Sequence, residues 1–414
     1  MLITDMNSKT YLQLSLMMFL EYAIWSVWYV TLGNYLTSIG FQGSEVGAAY
    51  STLAWASIAS AFFVSLIADK YFAAQKLNGI LHLISGVIMF FVARIHDPRL
   101  FFWILLLYMM FYMPTIALAN AIAFRHTPEA GKYFPRIRVL GTIGWIVAGI
   151  FISIANIELG PYPMYIAAGL SIALGFYSFF LPDTPPQAVG AKVSVREILG
   201  IDALKLMKDR SFAILIIATL VISIPFAMYH QFANMSMNES GMTNVAGIMT
   251  LGQASEVIFM ILMPFFFIRL GIKRMALMGM FAWFIRYLLF AFGNSAELVY
   301  FFYIGIILHG VCFDFFYVTA QIYVDKKAPG DLRASLQGFL TLITYGVGWL
   351  LGTHMSGWLL QTYQITDASG VVLNHHWTQI MLYPSLIALA VSIAFMILFK
   401  QDKEKIEMKQ EGII

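Results

Sequence analysis

Runs of twenty or more apolar residues recur along the whole chain, and this feature decides the fold class. Such a run crosses roughly 30 Å of hydrocarbon as an α-helix. Within lipid, only a helix or a closed barrel satisfies its own backbone. Barrel strands would alternate polar and apolar residues, and these runs do not. Charged residues make up 11% of the chain, against about 25% in soluble domains. The expectation is an all-α membrane protein of twelve transmembrane helices in two six-helix bundles, with spans near 11–36, 44–68, 76–95, 99–124, 136–157, 162–181, 211–236, 246–269, 272–293, 297–323, 332–360 and 377–399.

The basic residues set the orientation. Of 25 Lys and Arg, only Arg94 and Arg99 fall on the far side and Arg286 within a span; the rest share the side of the N-terminus. Both termini are therefore expected in the cytoplasm, with the chain in the cell inner membrane. The net charge of +3 reflects this bias and gives no reason to expect nucleic acid. The first span is too long for a cleaved signal and lacks a small-residue cleavage site. Cys312 is the sole cysteine, so no disulfide within the chain is expected. His375 and His376 read as a solvated turn rather than a metal site, and no metal or other cofactor is expected. A monomer in lipid is expected.

The chain divides as an N-terminal bundle (1–181), a cytoplasmic linker with a short amphipathic helix (182–210), a C-terminal bundle (211–402) and a tail (403–414). The linker's Ser194 and Glu197 have capping-box spacing. The halves echo each other. Asn120 precedes Pro128 as Gln321 precedes Pro329, and "GTIGW" (141–145) matches "YGVGW" (345–349). Two parallel repeats of six helices are the layout of major facilitator transporters. The glycines of "GVGWLLG", Gly348 and Gly352 among them, read as close helix packing and not as a phosphate loop.

Four charges fall deep in the spans. At a rise of roughly 1.5 Å per residue, Glu21 lies ~16 Å deep, Glu256 ~15 Å, Arg286 ~18 Å and Asp314 ~16 Å. A charge at that depth costs at least ~2.5 kcal/mol, so each is read as functional with a partner. Arg286 reads as one half of a structural ion pair. It can neutralise only one of Glu256 and Asp314, and the other must then carry a proton part of the time. Asp314 is the preferred proton site, with Glu256 nearer the substrate. Gln253 shares a face with Glu256, and Tyr317 and Gln321 share one with Asp314; His230, Gln231 and Asn234 cluster in the seventh span. Amides, a carboxylate and aromatic faces suit a flat ligand bearing hydroxyls, which describes a nucleoside and also a sugar. Arg138, on a face with Thr142 and Trp145, is placed to close the cytoplasmic end of the cavity.

"FPRIRVLGTIGW", "LGQASE", "IRYLLFAFG", "LHGVCFDFF" and "YVDKKAP…RASLQG" resemble the nucleoside:proton symporter family of the major facilitator superfamily, from the first span to the last. The resemblance implies nucleoside import driven by the proton gradient and no enzymatic activity. By motif match it points at Arg138, Thr142, Gln253, Glu256, Phe313 and Asp314. The chain departs from the family pattern in the amides of span 7, at Glu21, where some members carry glutamine, and at Ser65, where the superfamily has glycine, although Asp69 and Lys70 fit. A symporter of sugars or other small polar solutes is the competing expectation. A non-transporting membrane sensor is disfavoured, because no soluble signalling domain is present.

Overall fold

The computed structural model describes residues 6–63, 71–127, 130–186, 203–327 and 333–400, and they are almost entirely helical. The helices are α1 (Ser8–Tyr29), α2 (Leu32–Ser38), α3 (Gly43–Phe63), α4 (Ala74–Val92), α5 (Pro98–Arg125), α6 (Ala130–Ile154), α7 (Tyr162–Ser178), α8 (Ala203–Leu206), α9 (Arg210–Glu239) and α10 (Val245–Phe292). There follow α11 (Val299–Ile307), α12 (His309–Phe313), a π turn (Asp314–Val318), α13 (Thr319–Lys327), α14 (Arg333–Thr341), a second π turn (Leu342–Gly348), α15 (Trp349–Thr362) and α16 (Trp377–Leu398). Ser65, Asp69, Lys70, Pro128, Pro329, the tail and most of the expected linker, with Ser194 and Glu197, lie outside the described residues.

Local chemistry fixes several helix starts. Asp97 accepts from Leu100 N at 2.8 Å with Pro98 at the first helical position. Asp209 accepts from Ser211 N at 2.8 Å and Phe212 N at 3.0 Å. Seven described helices are long and apolar enough to cross a membrane, or eight if the bent pair Val299–Ile307 and His309–Lys327 forms one span. Most of the gap from the expected twelve has physical reasons. The 48 residues of α10 would reach about 72 Å, more than twice the hydrocarbon thickness. Gly271 breaks that helix at φ 67°, ψ 176°, a conformation glycine adopts without strain. The 17 residues of α7 are short for a span, and the second π turn interrupts the run from α14 to α15.

The helices pack as two sets. In the first, α1 lies on α6 and α7, α4 on α5 and α7, and α3 on α5. In the second, α10 lies on α12 and α16, and α9 on α15 and α16. Gly348 and Gly352 lie against Ser223 and Ala227 of α9, where an added Cβ would meet their side chains at 2.5 and 2.7 Å. A short hairpin, Gln364–Thr366 with Val372–His375, joins α15 to α16. His375 within it is buried and bonded to Glu239 at 3.0 Å, which corrects the reading of a solvated turn.

The two sets touch along their length, and at the end far from the N-terminus three places stand out. Gly47 of α3 lies on Gly357 and Thr353 of α15, so closely that a Cβ there would come within 2.6 Å of a carbonyl. Asn34 of α2 donates to the side chain of Asn234 of α9 at 2.5 Å. Ser153 of α6 accepts from Gly247 N of α10 at 2.7 Å, beside Glu158, to which its hydroxyl is also bonded.

Candidate functional site

A small cavity opens between the sets, lined by Ser26, Trp145, Tyr229, His230, Met249 and Gln253. Gln253, half-buried, thus stands where a ligand between the sets would meet it. One turn further along α10, Glu256 keeps 23% of its side chain exposed and lies 3.7 Å from His309 Nε2. From the other set, the half-buried Arg138 lays its guanidinium over the Tyr22 ring, 4.0 Å from its centre. Thr142 follows half-buried one turn along α6.

An aromatic wall lies beside these groups. Phe226 is the hub: its ring centre is 5.7 Å from Phe313, 4.9 Å from Tyr317 and 5.2 Å from Trp349. The Tyr317 hydroxyl reaches Ser223 at 3.3 Å, so Tyr317 is bonded within its own set. Asp314 opens the π turn and is fully buried, and its carboxyl oxygens have no hydrogen-bond partner among the described residues. A π turn adds a residue to the helical ladder and re-aims the side chains around it, a device frequent at functional sites.

Two expected roles change. Arg286 is buried as expected, but no carboxylate lies within ion-pair distance of it among the described residues. Its Nη1 meets His309 Nδ1 at 3.0 Å, and its guanidinium lies 3.4 Å from the centre of the Tyr229 ring. The expected structural ion pair is replaced by a hydrogen bond and a cation–π contact, because α10 turns Arg286 toward α9 and His309 rather than toward an acid. Asn234, expected at the substrate, instead accepts from Asn34 at 2.5 Å and Asn238 at 3.0 Å, so its carbonyl joins the two sets. Gln231 beside it is fully buried, with neither amide atom bonded among the described residues.

Two histidines escaped the sequence reading. His82 is the partner of Glu21, Nε2 to Oε2 at 2.9 Å, and its Nδ1 meets Ser171 at 3.1 Å. Thr115 donates to the same carboxylate at 2.7 Å, so Glu21 is bound within the first set. A histidine in the middle of an apolar span was the available signal for His82. His309, five residues before Asp314 in a quoted motif, carried the same signal.

Two sets of helices that meet around a polar, aromatic gap closed at one end define a membrane transporter of the major facilitator fold. The chain belongs to the nucleoside H+ symporter family, which matches residues 8–404. YegT of Escherichia coli (strain K12) is 41% identical over 96% of each chain. The xanthosine permease of the same organism is 34% identical, over 97% of this chain and 99% of the relative. The crystal structure of the nucleoside transporter NupG superposes with a TM-score of 0.85 at 30% identity, covering 95% of this chain and 99% of that one.

Proposed function

We propose that the chain is a proton-coupled symporter that imports nucleosides across the inner membrane by alternating access. It takes its driving force from the proton gradient and needs no cofactor. In this reading twelve helices cross the membrane as two six-helix bundles, α10 supplying two of them on either side of Gly271, with both termini in the cytoplasm. The end far from the N-terminus then faces outward, and the cavity is the substrate site of a state closed to the outside.

The observation that carries the reading is Asp314: fully buried, unpartnered among the described residues, and on a π turn whose Tyr317 joins the aromatic wall around Phe226. An ionised carboxylate in that position costs several kcal/mol, whereas a protonated carboxyl costs far less. Asp314 therefore holds the proton while the outer end is closed. Glu256, partly exposed and set beside His309, is the acid that meets the substrate's hydroxyls. Gln253 and Thr142 supply hydrogen bonds, and Phe313 an apolar face for the base. Relatives named for xanthosine and for nucleosides support a purine or pyrimidine nucleoside as cargo.

Uptake of radiolabelled uridine, competed by a panel of nucleosides and sugars, with and without an uncoupler, tests the proposal. Competition by nucleosides and loss of accumulation with the uncoupler support it. Competition by sugars alone would replace the substrate class, and accumulation that needs sodium would replace the proton.

A further inference from the structure

We infer that Arg286 locks His309 in the tautomer that carries its hydrogen on Nε2, and that His309 is thereby a positioning residue that holds the Glu256 carboxylate toward the cavity. The inference rests on the transport reading above for its consequence, but not for its geometry.

A guanidinium has only donors. The 3.0 Å contact between Arg286 Nη1 and His309 Nδ1 is therefore an N–H of Arg286 donated to an imidazole nitrogen that accepts. With Nδ1 accepting, the ring's hydrogen sits on Nε2, the nitrogen that faces Glu256 Oε2 at 3.7 Å. That separation is beyond a direct hydrogen bond, so the Nε2–H and the carboxylate act on each other across a short gap. An imidazolium would set a second donor against the arginine, so the contact also keeps His309 neutral. The second nitrogen of a histidine is commonly set by what the first one meets.

The surroundings leave His309 little freedom. The Tyr229 ring stacks on it, with centres 5.3 Å apart and planes at 29°, and the same tyrosine carries the Arg286 guanidinium. Gly252, one turn before Glu256, lies so close that a Cβ there would meet His309 Cβ at 3.2 Å. The charged and titratable groups facing His309 are Arg286 and Glu256 of α10 and Tyr229 and His230 of α9, with Cys312 in its own helix. Arg286 thus acts on the substrate's acid through a neutral ring.

Glutamine can mimic this tautomer, accepting from Arg286 through Oε1 and donating from Nε2, while phenylalanine keeps the stacking and loses both polar ends. In proteoliposomes with an imposed proton gradient, His309→Gln should keep nucleoside uptake within a few-fold of the parent, with the same pH profile between about pH 5 and 8. His309→Phe should lose about tenfold or more, as expected when a buried polar partner is removed. A flattened or shifted profile in a folded His309→Gln protein would show that His309 itself titrates, and would overturn the proposal. Ring-¹⁵N spectra of histidine-labelled protein decide the tautomer without any transport assay. The resonance missing from His309→Gln should be a neutral Nε2–H ring across that range; an imidazolium or an Nδ1–H ring would overturn the assignment. If the parent moves no nucleoside while the spectra show the Nε2–H ring, the transport reading fails and the tautomer stands.

Discussion

Glu158, which follows α6 in the first set of helices, accepts the backbone N–H of Ala246 in the first turn of α10 through both carboxylate oxygens, each at 3.2 Å. A carboxylate at a helix N-terminus meets unpaired N–H groups and the positive end of the helix dipole. This contact clasps the two sets together. Glu158→Gln should weaken the clasp by about 1–2 kcal/mol and shift molecules toward a state open at that end. Spin labels at the exposed Ile154 and Thr243 would report it as a longer distance; a distribution identical to the parent's would remove the clasp from the mechanism.

Asp314→Asn copies the protonated carboxyl permanently. The variant should bind nucleoside and exchange it across the membrane, yet fail to concentrate it uphill. Counterflow and accumulation assays on the same proteoliposomes separate these properties, and accumulation equal to the parent's would dismiss Asp314 as the proton site.

Gln253 lines the cavity and is half-buried, so its amide should bond the substrate. Gln253→Ala should weaken nucleoside binding by about 1–3 kcal/mol, the cost of leaving a buried polar group unmatched. Calorimetric titration of the purified variant would show this; an unchanged Kd in a folded protein assigns Gln253 to packing.

Glu21 and His82 form a buried pair that joins α1 to α4, with Thr115 of α5 as a third anchor. Glu21→Ala should cost about 3–5 kcal/mol of stability, because it strands the rest of the network without its acceptor. Glu21→Gln keeps an acceptor for Thr115 and should melt much closer to the parent. Equal melting temperatures for all three proteins in detergent would leave the pair without structural weight.

Both termini should lie in the cytoplasm, from the bias of basic residues. A C-terminal fusion to a reporter that fluoresces only in the cytoplasm should be bright; a dark, fully expressed fusion would invert the topology.

The helices and the family were legible in the sequence because hydropathy and motif order do not depend on how a helix is rotated. That Glu256 and Asp314 lie well inside their apolar runs was legible for the same reason, since distance along a helix follows from counting residues. Which charge meets which partner depends on rotation and on distant spans. Arg286 was therefore matched to an acid when its neighbours are His309 and Tyr229, and Glu21 lacked a partner until α4 brought His82 to it. The role of Asn234 was hidden in the same way, since its partner Asn34 is two hundred residues distant and belongs to the other set.

The seam between the sets is built from glycine contacts at Gly47 and Gly357, an amide pair at Asn34 and Asn234, and Glu158 on backbone N–H groups. By contrast, the carboxylate–histidine contacts Glu21–His82, Glu256–His309 and Glu239–His375 and the ion pair Asp209–Lys327 each lie within one set. Dissolved salt screens exposed charge pairs but hardly touches packed backbones and amides. On the proposed transport reading this closed end should therefore open as readily in brackish water as in fresh, with proton and cargo, not dissolved ions, deciding when it swings.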